Sequence, residues 1–241
     1  MNTMSESHVE PQPDLRRRIL VWDAPVRVFH WMLAVSFAGA YITAESERWR
    51  LLHVTLGYTV AVLVVFRLLW GLVGTRHARF RSFVRGPAAV RRYLAAMLRG
   101  SPPHSTGHNP VGALAILGLL ALAALVAITG WGTYNEVGAL SSDELHEFLA
   151  NAMLALVVVH VAGVLVGSWL ERENLVKAMF TGLKTGPSRQ AISGSRAWVA
   201  VLMVVAALGF WAWQWQSAPA DSTAAAASSV HPGEGHASDD D

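Results

Sequence analysis

Five apolar stretches, each close to the length a helix needs to cross a bilayer, limit what this 241-residue chain can become. They are Val28–Ala44, Val54–Val73, Val111–Gly132, Phe148–Leu170 and Ala197–Trp215. About 20 apolar residues of helix cross the hydrocarbon layer. The chain is 53% hydrophobic and 15% charged, where a soluble domain carries about 25% charged residues. Trp22, Trp31, Trp49, Trp70, Trp131, Trp169, Trp198, Trp211, Trp213 and Trp215 fall near the predicted ends. Indole prefers that level, because its body is apolar and its N–H needs a partner. The expected class is an all-α integral membrane protein.

Charge placement predicts the orientation. Arg16, Arg17, Arg18 and Arg27 precede the first span, Arg76 to Arg99 fill the second connection, and Arg172, Lys177, Lys184, Arg189 and Arg196 fill the fourth. The opposite side carries Arg48 and Arg50 balanced by Glu45 and Glu47, then Glu136, Asp143 and Glu144. Basic loops stay inside. The N-terminus is therefore expected in the cytoplasm and the C-terminus in the periplasm, across a bacterial inner membrane. Residues 1–15 lack the apolar core of a signal peptide, so the first span is expected to be retained. Residues 1–20 read as a cytoplasmic tail, 21–184 as the main bundle, 185–216 as a linker and fifth span, and 217–241 as a disordered acidic tail. His231 and His236 in that tail read as solvated. Membrane lipid is an expected partner, and the net charge of +2 gives no reason to expect nucleic acid.

Cysteine is absent. That excludes Cys-ligated zinc, iron–sulfur clusters on the chain's own thiolates and covalently attached haem. Histidine stands in a more telling pattern. His30 opens the first span, which enters from inside. His53 opens the second, which enters from outside. His146 precedes the apolar run of the fourth, and His160 follows it by fourteen positions. At about 1.5 Å per residue that is roughly 21 Å, close to four turns, so both can share a helix face. The four therefore sort by depth into an inner pair, His30 with His160, and an outer pair, His53 with His146. Facing neutral imidazoles are what axial haem ligation needs. Two histidines on each iron leave no open coordination position, which favours electron transfer over oxygen chemistry. Gly57 lies four residues after His53 and Gly163 three after His160, so each shares its histidine's face and leaves room for a flat ring. Close helix packing is the other reading of those glycines. A metal transporter is disfavoured, because no Asp or Glu lies inside a span.

Several segments resemble the prokaryotic cytochrome b561 family, related to the b-type cytochrome subunits of nickel–iron hydrogenases. They are Val21-Trp-Asp-Ala-Pro-Val-Arg-Val-Phe-His30-Trp, His53-Val-Thr-Leu-Gly57-Tyr, Phe66-Arg-Leu-Leu-Trp-Gly-Leu-Val-Gly74 and Gly107-His-Asn-Pro-Val-Gly112. His146-Glu, His160-Val-Ala-Gly163 and Glu171-Arg-Glu-Asn-Leu-Val-Lys-Ala-Met-Phe-Thr-Gly182 complete the set. The resemblance implies a four-helix transmembrane bundle holding two non-covalent haem b groups, to which this chain adds a fifth, C-terminal transmembrane helix. It implies His30, His53, His146 and His160 as iron ligands. It also implies electron transfer between the quinone pool, or a docked dehydrogenase or hydrogenase, and a periplasmic redox partner such as a c-type cytochrome. An alternative is a membrane oxidoreductase acting directly on superoxide or quinone.

Among supporting residues, Arg67 inside the second span is read either as the partner of a haem propionate or as snorkelling to the surface. Tyr58 and Tyr134 could hydrogen-bond a propionate or a quinone. Asp23 and Arg27 are expected to pair at the interface. His77, His104 and His108 read as loop residues and not ligands. The fifth helix is expected to pack on the bundle or dock a partner.

Overall fold

The computed structural model describes residues 17–101, 103 and 105–217. The acidic tail, with His231 and His236, the first sixteen residues, and His104 lie outside them. In chain order the elements are β1 (Arg17–Leu20), α1 (Ala24–Thr43), α2 (Arg50–Val73), α3 (Pro87–Leu98), α4 (Pro110–Tyr134), α5 (Asp143–Glu171), α6 (Leu175–Thr181), β2 (Leu183–Gly186) and α7 (Ala197–Ser217). Helices α1, α2, α4, α5 and α7 are long and apolar enough to cross a membrane. They match the five expected spans, and their outward residues fit only a lipid solvent. Ile42, Leu72, Val159, Leu165 and Trp169 are all largely exposed. Apolar faces of this extent do not stay in water.

Helix α1 packs along α2, α4 along α5, and α2 joins the two pairs. Phe37, Val60, Val64, Ala123 and Met153 meet at the centre, one or two from each of these four helices. A second cluster of Phe29, Leu63 and Leu120 lies toward the N-terminal end of α1. The fifth helix packs on α1 and α2. Its Trp211 Nε1 donates to Thr59 Oγ1 at 2.9 Å, and Phe210 meets Tyr58 edge-on. Of the two roles foreseen for this helix, it takes the packing one.

The basic end of the bundle is closed by a plate that the apolar pattern did not reveal. Strands β1 and β2 pair antiparallel, Arg17 with Gly186 and Leu20 with Leu183, tying the start of α1 to the chain after α6. The Gly182 carbonyl accepts from the amides of Val21 and Trp22. Gly182 has φ +79°, and a Cβ there would lie 2.6 Å from the Trp22 carbonyl, so the site excludes other residues. Lys184 is buried within the plate. Its Nζ lies 3.7 Å from Glu171 and 3.6 Å from Glu173, and donates to the Ser105 carbonyl at 2.8 Å.

Asp23 anchors the plate to the bundle and is 1% exposed. It caps α1 by accepting from the Val26 amide at 2.9 Å. Its other oxygen accepts from Trp70 Nε1 at 3.1 Å and Thr75 Oγ1 at 2.6 Å, at the far end of α2. The expected Asp23–Arg27 pair is therefore absent: Arg27 reaches the Phe180 carbonyl on α6 instead. A buried carboxylate takes the donors that close around it, whereas Arg27 lies one turn farther and faces α6. Asp23→Ala removes a cap and leaves two half-buried donors without their partner, so it should destabilise the protein by about 2–3 kcal/mol. The thermal midpoint of the detergent-purified variant should fall accordingly; a midpoint equal to the parent's would contradict the role.

Candidate functional site

Helices α2 and α5 bring the His53 and His146 rings together edge-on at the acidic end. Their ring centres are 6.3 Å apart and their planes cross at 82°. Both rings are fixed from behind. His53 Nδ1 donates to the Ala40 carbonyl at 2.8 Å. That carbonyl lies in the last turn of α1, where no further helical amide claims it. His146 Nδ1 lies 3.2 Å from Thr129 Oγ1. The Thr129 hydroxyl donates to the Leu125 carbonyl at 2.9 Å, so its oxygen is left to accept from His146. Each imidazole thus carries its proton on Nδ1 and keeps the Nε2 lone pair. Imidazoles that bind metals are commonly fixed through the other nitrogen in this way.

The approach of His146 depends on Gly130 of α4. A Cβ there would lie 2.8 Å from His146 Cε1. Thr129, Gly130 and Ala40 were not singled out in the sequence. A Thr-Gly pair has no signature of its own, and the role of Ala40 is purely a backbone one. Gly57 and Gly163 have nothing within 4 Å of where a Cβ would sit. The close-packing reading of these glycines fails, and open space beside the helix is what remains. Tyr58 and Tyr134 stand edge-on at 6.5 Å, at the same end as the outer pair.

At the basic end, α1 and α5 carry His30 and His160, which are electrostatic neighbours. The Nδ1 of His30 is enclosed without a hydrogen-bond partner. Its ring stands edge-on to Trp31, which stacks on Phe180 at 4.3 Å. Arg67 is 3% exposed, so it does not snorkel. Its guanidinium lies 4.9 Å from the centre of the Phe80 ring, with Nη1 enclosed and unpartnered. Phe80 in turn fills the space over Gly71, where a Cβ would lie 2.0 Å from the ring.

His108 and His77 are more than loop residues. His108 is wedged between Trp22, at 4.4 Å, and Phe83, at 4.6 Å, and its Nδ1 is enclosed without a partner. His77 Nε2 donates to the Gln190 carbonyl at 2.8 Å. Loop position alone could not reveal this burial, because the partners come from distant segments. Burial, then Arg67, Lys184, His77 and His160, push the His108 pKa down to about 3. Burial also lowers His77, followed by the charges of Arg76 and Lys184, against the opposing hydrogen bond to Gln190.

The sequence profile of the prokaryotic cytochrome b561 family matches residues 21–182. The chain belongs to this family. It is thus an integral membrane protein of a b-type cytochrome family, and such proteins bind b-type haem. Among curated relatives, a probable Ni/Fe-hydrogenase B-type cytochrome subunit of Bradyrhizobium diazoefficiens is 24% identical, over 69% of this chain and 86% of the relative. Its counterpart in Azotobacter vinelandii is 32% identical, over 49% of this chain and 60% of the relative. A probable Ni/Fe-hydrogenase 1 B-type cytochrome subunit of Escherichia coli is 27% identical, over 48% of this chain and 60% of the relative. No solved structure matches the chain.

The outer pair fits the group this family carries. Imidazoles bound to opposite sides of one metal ion, with metal–nitrogen bonds of about 2.0 Å, put their ring centres roughly 6 Å apart. That is the spacing of His53 and His146. At the basic end, the unpartnered Nδ1 of His30 and the enclosed, unpartnered Nη1 of Arg67 fit a metal-centred group with an anionic edge.

The lowered histidines make stability depend on pH. A base whose pKa falls on folding binds fewer protons folded than unfolded, so stability rises with pH. For His108 it is fully present above the ordinary value of 6.5 and lost progressively as pH falls from there toward 3. Thermal midpoints measured at pH 7.5 and pH 5 should show this loss, and His108→Gln should reduce it. An equal loss in the variant would exclude His108 as a source.

Proposed function

We propose that the protein is a two-haem electron-transfer subunit of a bacterial inner membrane, passing electrons between a periplasmic redox partner and the quinone pool. The outer haem is held by His53 and His146 and the inner by His30 and His160. The geometry of the outer pair carries this reading: rings 6.3 Å apart, both protonated on Nδ1, with two Nε2 lone pairs left to bind. Bound haem supplies one-electron redox chemistry.

The chain's residues set the conditions for that chemistry. The Ala40 carbonyl and Thr129 hydroxyl orient the outer ligands and fix which ring nitrogen carries the proton. Gly57 and Gly163 leave space for a macrocycle beside α2 and α5. Arg67 offsets the negative charge of a propionate at the inner site. Two histidine ligands per iron leave no free position for a small substrate, which favours electron transfer over direct turnover of superoxide.

The names of the relatives support a hydrogenase as partner. The acidic rim of Glu45, Glu47, Glu136, Asp143, Glu144 and Glu147 marks the face at which such a partner docks. The distribution of Arg and Lys supports a cytoplasmic N-terminus and a periplasmic C-terminus.

A reduced-minus-oxidised spectrum with a haem count per chain tests the central claim. The expected result is a b-type spectrum with two haems per chain. His160→Ala should remove the inner haem and His53→Ala the outer one; retention of both haems in either variant would falsify the ligand assignment. Thr129→Val keeps the ligand but loses its orienting partner. It should weaken outer haem retention about tenfold or more while leaving the inner haem in place, read as two resolved steps in a redox titration. Superoxide turnover by the isolated protein, without a partner, would favour the enzymatic alternative.

A further inference from the structure

A cavity of about 590 Å³ opens at the basic end, between the inner ends of α2 and α4, and the redox reading makes no use of it. Arg76, Arg85, Arg92, His77, His108 and Tyr93 line it, and no Asp or Glu does. Arg76 donates through Nη1 to the Arg189 carbonyl at 3.1 Å. Arg85 and Arg92 have no hydrogen bond or ion pair to another described residue. His77 is engaged with Gln190, while the enclosed Nδ1 of His108 has no partner. Glu171, which accepts from the lining Tyr93 at 3.5 Å, and Glu173 are both held by the buried Lys184. Cations gathered around a space without a counter-charge repel one another, and an anion placed among them removes that repulsion.

The position of the cavity indicates which anion. Arg76 lies three residues beyond the end of α2, and Pro110 opens α4, so the cavity sits where the apolar helices leave the hydrocarbon. Helix α3 runs beside it. Its Tyr93 is buried, while Leu94 is 38% exposed and Leu98 86%, with Arg91 and Arg99 on either side of them in sequence. A helix with apolar residues turned outward among arginines is suited to lie in the headgroup layer. A cavity that took only free phosphate would leave these exposed leucines unexplained. The anion abundant at that level is the lipid phosphate.

We propose that this cavity is a headgroup site for an anionic phospholipid, its phosphate held by Arg76, Arg85 and Arg92 and its acyl chains lying against the apolar face of α3. His108, held between Trp22 and Phe83, closes the inner wall. The site is independent of the haem assignment and holds the second connection of the chain against the membrane.

Native mass spectrometry of the full-length, delipidated protein tests this, by titration with phosphatidylglycerol and with phosphatidylcholine of the same chains. Phosphatidylglycerol should bind in preference. Each guanidinium at an anionic surface is worth about fivefold, so Arg85→Gln with Arg92→Gln should weaken it roughly 25-fold. The control pair Arg91→Gln with Arg99→Gln, equal in charge change but off the cavity, should stay within about twofold of the parent. If the double variant does not fold, each single variant should show a fivefold loss. Equal loss in the control pair would reduce the effect to diffuse attraction and overturn the site. Equal binding of the two lipids would do the same. Displacement of phosphatidylglycerol by millimolar inorganic phosphate would assign the cavity to free phosphate and overturn the lipid.

Discussion

No water inside a bilayer can satisfy a backbone N–H or C=O, and every other feature of this protein works within that constraint. Each span closes its own hydrogen bonds as a helix, so polar chemistry at depth must come from side chains or from helix ends. The outer pair uses both. His53 and His146 supply the imidazoles, and the last turn of α1 supplies the carbonyl of Ala40 that fixes one of them. The Thr129 hydroxyl acts in a similar way, bonded back to its own helix while accepting from the ring of a neighbour. In low dielectric such bonds hold a ring firmly, because the alternative is an unsatisfied polar group.

The two ends of the bundle differ in architecture as well as charge. The acidic end is built of short turns and exposed carboxylates. The basic end is a folded plate in which β1, α6 and β2 clamp the chain before α1 to the chain after α5. Asp23 joins this plate to the end of α2 by accepting two hydrogen bonds there, from Trp70 and Thr75, while its other oxygen caps α1. Cations dominate around it: Arg67, Arg76 and Lys184 all lie at this end, and of these Lys184 has two carboxylates as partners. An end so charged is suited to anionic groups, whether on a cofactor or a lipid.

The five spans were legible because an apolar run of that length has no other stable use, and the observed helices begin and end within a few residues of it. Helix α3 was not foreseen. Its apolar residues are too few to form a span, yet Pro87 at its first turn and Gly100, at φ +70°, just beyond its end are start and stop signals the sequence does carry. The β1–β2 pairing was illegible for a different reason. Its four-residue strands are joined by some 160 residues of intervening chain, and nothing local marks them as partners. Lys184 counted as a surface base in the charge pattern, but it is buried with two glutamates that only the plate brings together.

The sequence by itself determined the membrane class, the number of spans and the depth of each histidine, because hydrophobic length and a rise per residue are properties of one helix at a time. Tertiary structure decided which groups meet across helices. It turned His53 and His146 toward each other, supplied Ala40 and Thr129 behind them, drew His108 between Trp22 and Phe83, and kept Arg67 inside. These outcomes depend on how one helix is rotated against the next, a quantity set by packing and not by the periodicity of either helix alone.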